Sequence, residues 1–456
     1  MEERLFPRGS PAPDLSLNLR AGRASSNAAA PGEGSPAAAR APEGPSARSP
    51  GRGPGEAGEG GLRGLSPSRR LAGALALLFG GAMAFRLWSL SGGAPLGGYD
   101  ERIYLAYAQG FARGGFPALR AFLARLPGDP VLSRGPLPLR VLYIAAAAAA
   151  CRFPGASGYL PLVALSAISG LATLVAAWAL FTRWLRPPVA LAAVALTAVS
   201  PLATGMSARA LQDSFFTFWI VATLVFFERT LAGGRRRDGW LLALCALGGL
   251  LTKETMALVY PVLALAAIGG RWRRPLIPLA AAALLALAVL APLAGGVGPL
   301  FAIYRRSLAG MGTNDYVLHW QRGPWFRYLV DLLLLSPATM LLAGVGAVRG
   351  PPEEADRPGV ARARLLTAAG LGVFSALFNM DVRFVIFADV LARALAAVGL
   401  DVLALRFFPR RRTAALAAFA ALAVALDAAQ WHRVFVAGRV YDPVTESLVA
   451  ADGITR

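Results

Sequence analysis

The chain has 456 residues, of which 56% are hydrophobic and only 16% charged, and this composition excludes an ordinary soluble domain. Its net charge of +20 could suggest a nucleic-acid partner. However, the arginines lie in short clusters between apolar runs, where they set the orientation of membrane helices and meet anionic headgroups. We therefore expect a membrane protein and no nucleic-acid binding.

The amino-terminal segment, residues 1–68, is rich in proline, glycine, alanine, serine and arginine and has few large apolar side chains. Such a segment cannot bury enough apolar surface to offset the entropy lost on ordering. We expect a disordered cytoplasmic tail. It is not a signal peptide, because no apolar core begins before residue 71.

The first apolar run, from Leu71 to Leu90, is long enough to cross a bilayer and follows Arg69 and Arg70. By the positive-inside rule this basic flank is cytoplasmic, so the chain emerges on the outer face. Residues 101–126 then alternate apolar and arginine positions, which predicts amphipathic helices in the interface.

Further apolar segments follow, so residues 69–430 are predicted to form an all-α transmembrane domain, with a short outer tail at 431–456. The predicted spans are 71–90, 160–182, 188–204, 214–231, 239–252, 255–270, 275–294, 326–348, 365–380, 384–405 and 413–430. This makes a polytopic bundle of about eleven helices. The first outer loop is residues 91–159, and a later outer loop is residues 295–325.

The segment Val141–Ala150 is apolar but short, and Arg140 and Arg152 flank it. If this segment does not cross the membrane, the later basic clusters all lie on the cytoplasmic side. If it crosses the membrane, all of these clusters lie on the outer side. These clusters are Arg183 with Arg186, Arg235–Arg237, Arg271 with Arg273 and Arg274, Arg362 with Arg364, and Arg410–Arg412. We therefore interpret residues 139–153 as an interfacial or re-entrant helix.

With this topology the polar residues of interest collect on the outer side. They are Asp100, Glu101, Arg209, Asp213, Lys253, Glu254, Asp381, Arg383 and the segment 295–325. Ionisable residues at a membrane boundary are costly and usually face a cavity, so this collection indicates a functional site. The alternative for any one of them is that it anchors a helix among the headgroups.

The adjacent pair Asp100 and Glu101 lies beside an apolar wall, where burial and like charge would raise one pKa towards that of a general base. Further on, Arg209 and Asp213 are four residues apart after Pro201, either as part of the site or as a local salt bridge at a helix start.

Three other residues have a functional and a simpler interpretation. Lys253, the chain's single lysine, could bind a phosphate or anchor a helix with Glu254. Arg383 could clamp a phosphate in bidentate geometry or anchor its helix. His319 is one of two histidines, and a lone histidine is more often structural than a metal ligand.

Together these motifs, between residues 71 and 405, resemble the GT-C superfamily of membrane glycosyltransferases. The likeness is to the branch that contains the dolichyl-phosphate-mannose-protein mannosyltransferases and the lipid A aminoarabinose transferases. It rests on Asp100-Glu101, on Arg134 to Leu139, on Ser200-Pro201 through Arg209 and Asp213, on Leu251-Thr252-Lys253 and on Arg383-Phe384. The family's Pro-Pro is interrupted here, as Pro136-Leu137-Pro138.

The resemblance implies an inverting transfer of a hexosyl or pentosyl unit from a polyprenyl-phosphate donor to an envelope acceptor, at the outer face of a bacterial inner membrane. Asp100 would be the general base, and Arg209, Lys253 and Arg383 would stabilise the departing phosphate. Asp213 and Glu101 would shape the catalytic site. These two acids, with His319, could also hold a divalent metal ion.

Two other functions compete with this interpretation. An arginine-lined outer cavity would also suit a lipid-linked sugar flippase or transporter, although such a protein favours polar groups at mid-bilayer and repeat symmetry. A non-catalytic GT-C-like scaffold is the second alternative, and the joint presence of Asp100, Arg209, Asp213, Lys253 and Arg383 argues against it.

Overall fold

The computed structural model describes residues 67–441, apart from residues 92–95, 154, 156, 269–271 and 378. Within these residues the chain is helical and contains no strand. It divides into two units, Met1–Gly73 and Ala74–Arg456. The predicted tail at 1–68 lies outside the described residues except for its last two, which begin a helix, and the tail at 431–456 is described only to residue 441.

The described part of the chain forms eighteen α-helices. The first nine are α1 (Pro67–Ser91), α2 (Tyr99–Arg125), α3 (Pro130–Arg134), α4 (Val141–Ala150), α5 (Leu160–Trp184), α6 (Pro187–Ala198), α7 (Pro201–Ser207), α8 (Asp213–Leu231) and α9 (Arg236–Thr252). The others are α10 (Met256–Ala267), α11 (Arg273–Ala294), α12 (Val297–Met311), α13 (Asp315–Trp320), α14 (Arg327–Leu335), α15 (Pro337–Arg349), α16 (Arg357–Ser375), α17 (Ile386–Phe407) and α18 (Arg412–Trp431).

In the part of the chain that the structure describes, each predicted span coincides largely with one helix, with boundaries that differ by up to eight residues, except that 188–204 and 326–348 are each divided between two helices. Among the described residues, five helices are long and apolar enough to cross a membrane, or six if the bent pair α6 and α7 counts as one span. Three further apolar helices, α4, α10 and α15, are shorter. A multi-pass membrane protein is therefore confirmed, and the number of eleven spans stays a prediction.

The prediction of one continuous helix over 326–348 was wrong. The segment forms α14 and α15, which are separated at Ser336, because Pro337 cannot continue the hydrogen-bond ladder of α14. A similar break between α6 and α7, at Ser200 and Pro201, bends that pair by 51°.

Both breaks meet the central helix α17, which is buried from Ile386 through Asp401. Arg393 in this helix donates to Asp389 (3.1 Å) and to Ser336 Oγ at the α14–α15 break (2.9 Å). Asp389 accepts from Ser200 Oγ at the α6–α7 break, over 2.6 Å. Arg393 also pairs with Asp427 of α18. A charge buried in a bundle needs such partners, and here they fix the broken helices to the core.

Close backbone contact joins α15 to α17 through two glycines. A Cβ added at Gly346 would lie 1.9 Å from the Leu395 carbonyl oxygen, and one at Gly399 would lie 2.2 Å from that of Leu342. Small residues at helix contacts let membrane helices pack closely, where dispersion forces stabilise their association. These positions therefore admit no side chain.

The segment predicted as the first outer loop, residues 91–159, is largely helical where it is described. Helix α2 is kinked at Gly115, whose φ is +57°, and Pro117 follows. Helix α4 has ten residues and is about 15 Å long, half the thickness of a bilayer core, which suits an interfacial or re-entrant helix. The later outer segment, 295–325, is also not an open loop, because it holds α12 and α13.

Candidate active site

The acidic pair lies in the first turn of α2, which Gly98 caps. Carboxylates are stabilised at a helix amino terminus by its exposed N–H groups. Because adjacent residues on a helix point about 100° apart, Asp100 and Glu101 face different surroundings. The structure gives the two acids different partners and, as a consequence, different roles.

Glu101 is a buried structural carboxylate. Its Oε2 accepts hydrogen bonds from the backbone N–H groups of Gly97 (2.8 Å) and Gly98 (2.9 Å). Its Oε1 accepts from Arg209 Nε (2.6 Å) and from the Ala210 N–H (3.0 Å). Four donors satisfy this carboxylate, so it is poorly placed to accept a substrate proton or to bind a metal ion.

Arg209 is correspondingly committed to the fold. Besides its ion pair with Glu101, its guanidinium lies over the ring of Tyr441, 4.9 Å from the centroid. These two contacts of Arg209 link the start of α2 to the segment before α8 and to Tyr441, the last described residue. The ion pair uses Arg209 Nε, and 10% of the Arg209 side chain remains exposed.

Asp100 points to a different partner. Its Oδ2 lies 3.1 Å from Arg383 Nη1, and 30% of its side chain remains exposed. Glu254, which pairs with Arg140, has a similar exposure of 28%, whereas the other paired acids on the predicted outer face, Glu101, Asp213 and Asp381, are at most 7% exposed. The carboxylate predicted to act as the base thus borders the solvent-accessible part of the site.

Arg383 is held by its own turn. Asp381 Oδ1 accepts from the Arg383 backbone N–H (3.1 Å), and Asp381 Oδ2 accepts from Arg383 Nε (2.6 Å). Gln321, which follows α13, donates to the same Asp381 oxygen over 3.0 Å. These bonds aim the guanidinium at Asp100 and connect the turn before α17 with the α12–α13 segment.

The third predicted element, the lysine, is enclosed. Lys253 Nζ lies 2.8 Å from Asp213 Oδ1, and the two side chains are only 2% and 3% exposed. The ammonium also lies over the Phe384 ring, 4.0 Å from its centroid. Burial lowers the pKa of Lys253, an effect that nearby Arg140 and Arg383 reinforce and that Asp213 opposes.

Sequence analysis did not predict the ion pair between Arg140 and Glu254 as part of the site. Arg140, just before α4, makes a bidentate pair with Glu254 and donates to the hydroxyl of Tyr104. That hydroxyl in turn donates to Gln212, next to Asp213. The only sequence signal was the position of Arg140 directly after the Arg134–Leu139 motif. Its partner depends on a contact between residues 114 positions apart.

Glu254 owes its charge state to this pair. Burial alone would raise the pKa of Glu254, but the Arg140 guanidinium outweighs burial and leaves that pKa below its ordinary value of 4.5. The pair therefore ties α4 to the turn between α9 and α10, directly beside Lys253.

The residues suggested for a metal do not form a metal site. Within the described ranges no group of three His, Cys, Asp or Glu side chains could hold an ion. Glu101 is saturated by donors, Asp213 faces Lys253, and His319 is exposed with its ring against Trp320. A divalent metal stays a prediction, and no chemical step below passes through one.

Two solved structures of one protein are similar to the structure of this chain. ArnT from Cupriavidus metallidurans bound to undecaprenyl phosphate matches with a TM-score of 0.51 at 17% sequence identity, over 84% of this chain and 79% of that protein. The apo form of the same protein matches with a TM-score of 0.51 at 16% identity, over 84% and 78%. The helical fold of this chain is therefore similar to that of ArnT.

Sequence similarity agrees over part of the chain. Residues 138–295 match the sequence model of the dolichyl-phosphate-mannose-protein mannosyltransferase family. No curated protein sequence matches the chain significantly. The resemblance predicted from the sequence is thus confirmed as a likeness of fold and as a family match limited to residues 138–295. The range includes Arg140, Asp213 and Lys253. It includes neither Asp100 nor Arg383, whose place in the candidate site rests on their ion pair.

Proposed function

We propose that this protein is an inverting glycosyltransferase that moves a sugar from a polyprenyl-phosphate donor to an acceptor on the outer face of the membrane. The observation that carries the proposal is the pairing of Asp100 with Arg383, which brings a partly exposed carboxylate and a positioned guanidinium to one point. The reaction requires a base for the acceptor's proton and a cation for the charge of the departing phosphate. The GT-C fold and the family match support the reaction class.

The reaction needs one proton acceptor. An acceptor hydroxyl or amine attacks the anomeric carbon from the face opposite the phosphate, and the bond from that carbon to the phosphate oxygen breaks. The acceptor's proton passes to Asp100, and the electron pair of the broken bond leaves with the polyprenyl phosphate. General-base assistance of this kind is worth about 10²–10⁴ in rate.

The departing phosphate gains negative charge, so a fixed cation beside it stabilises the transition state more than the ground state. Arg383 is the most exposed of the three predicted cations, at 15% against 10% for Arg209 and 2% for Lys253. A planar guanidinium also matches the oxygens of a phosphate in bidentate geometry. Lys253 and Arg140 add positive potential around the same point.

The transporter alternative would use charged groups within the bundle, and α17 does contain Arg393 and Asp389. These side chains are at most 1% exposed and are paired with each other and with their neighbours. A transport pathway requires groups that face a cavity. We therefore assign this network to the fold and favour the transferase.

The test is transfer of radiolabel from a panel of polyprenyl-phosphate sugars to native membrane extract by the purified protein in lipid. Wild type is compared with Asp100→Asn, and Asp315→Asn, an exposed carboxylate in α13, is the matched control. We expect transfer from at least one donor, lost by at least 100-fold in Asp100→Asn alone. Donor binding without transfer by wild type would instead support a flippase or a scaffold, and full activity of Asp100→Asn would reject the assigned base.

A further inference from the structure

A second charged cavity lies at the far ends of α8 and α9 from the proposed active site. Its volume is about 370 Å³, and it is lined by Arg183, Arg229, Ala232, Gly233, Gly234, Arg235, Arg237 and Asp238. Helix α8 starts at Asp213 in the active site, and its 19 residues span about 28 Å. The cavity is therefore about one bilayer core away, at the level of the opposite headgroups.

The lining carries four guanidinium groups against one carboxylate, a net charge of +3. The carboxylate of Asp238 already has two partners within the protein. Its Oδ1 lies 2.8 Å from Arg229 Nε, and its Oδ2 accepts from the Arg235 backbone N–H over 2.8 Å. Within the described ranges, no ion pair joins Arg235 or Arg237 to an acid. Arg229 is paired with Asp238 and Arg183 lies near Glu228, so the cavity's positive charge without an ion pair among the described residues is that of Arg235 and Arg237.

The turn that shapes the cavity is sterically fixed. Gly233 has a φ of +87°, and the Gly234 N–H donates to the Arg229 carbonyl over 2.8 Å. A Cβ added at Gly234 would lie 2.5 Å from that carbonyl oxygen and 2.6 Å from Asp238 Oδ2. The backbone is therefore held so that the arginines before and after the turn face one space.

Apolar side chains continue from the cavity along α9. Trp240 and Leu244 are 65% and 56% exposed, and they follow Arg237 at three and seven residues, so the three lie on one helical face. A tryptophan at this level is typical of the membrane interface. A molecule whose phosphate occupies the cavity would place an acyl chain against this face.

We propose that this cavity binds a phosphate group, presented by an anionic lipid headgroup. Guanidinium groups in a concave site bind phosphate oxygens in charge-assisted pairs, and the exposed face of α9 favours a lipid over a free ion. This inference does not depend on the proposed reaction, because the cavity and the active site share no lining residue.

The experiment measures lipid binding by the purified full-length protein in a neutral detergent. Phosphatidylglycerol is titrated against phosphatidylcholine, and inorganic phosphate is added as a competitor. The variant Arg235→Gln/Arg237→Gln is compared with Arg410→Gln/Arg411→Gln, which removes the same charge from the exposed turn Pro409–Arg411. Melting temperatures without lipid show that both variants fold.

We expect wild type to prefer phosphatidylglycerol. Each lost guanidinium should weaken that binding about 5-fold, so the cavity variant loses roughly 25-fold while the control stays within about 2-fold. Equal losses in both variants, or none in the cavity variant, would overturn the proposal. Binding of inorganic phosphate with no preference between the two lipids would overturn the lipid headgroup and assign the cavity to a free phosphate.

Discussion

Arg383 and Asp100 form an ion pair of 3.1 Å between the turn before α17 and the first turn of α2. Asp381 fixes the same guanidinium from the other side, over 2.6 Å. The pair connects the predicted first outer loop to the turn before the central helix, at the proposed active site. If the proposal holds, substitution of either residue should lower transfer.

Arg383→Lys should lower kcat/KM for the polyprenyl-phosphate sugar by about 10²–10³, the usual effect of losing one oriented donor to a developing charge. An ammonium is a point charge and cannot contact Asp381, Asp100 and a phosphate with one planar group. Steady-state transfer assays check this, with Arg306→Lys on the exposed side of α12 as the control. Wild-type kinetics in Arg383→Lys would remove Arg383 from the site.

The substitution Glu101→Gln should lower the stability of the protein. A glutamine keeps the shape but offers one acceptor where Glu101 uses two, so buried donors, Arg209 among them, lose their partner. Breaking such a buried pair costs about 3–5 kcal/mol. Thermal unfolding in lipid should show a marked fall in melting temperature, whereas Glu354→Gln, an exposed control, should change little. An inactive Glu101→Gln with wild-type stability would place Glu101 in the chemistry instead.

The pair Lys253 and Asp213 lends itself to a double-mutant cycle. Lys253→Met and Asp213→Leu should each destabilise the protein, because each leaves one buried charge unpaired. The double variant should be more stable than the sum of the two losses implies, by about 0.5–3 kcal/mol. Additive losses would contradict the pairing. If transfer stays low although stability recovers, Lys253 also contributes to the phosphate's environment.

The ion pair of Glu254 with Arg140 should make the stability of the protein depend on pH. Because the pKa of Glu254 is lowered in the folded protein, the unfolded state binds the proton more readily in acid, and the stabilisation by the Arg140 pair is lost as pH falls below 4.5. The stability difference between wild type and Glu254→Gln should therefore be constant above that pH and shrink below it. Melting temperatures of both proteins from pH 7 to pH 3 measure this. A difference that stays constant to pH 3 would exclude the predicted linkage.

Much of the architecture follows from sequence alone. Long apolar runs must be helical in a membrane, because every backbone N–H and C=O group needs a partner within its own segment. Adjacent acids after an apolar run marked the start of α2. A proline stands at both helix breaks, Pro201 and Pro337, yet the predicted spans 188–204 and 326–348 ran across them.

What the sequence could not decide is which partner each charge finds. Asp100 and Glu101 are neighbours of similar chemistry, yet one borders the accessible site and the other is sealed by Arg209. Arg140 finds Glu254 from 114 residues away. An ion pair depends on a distance of a few ångströms through space, and that distance is set by helix packing and rotation. The sequence therefore determined the helices and the charged residues available, and only the tertiary structure brought Asp100 and Arg383 within 3.1 Å of each other.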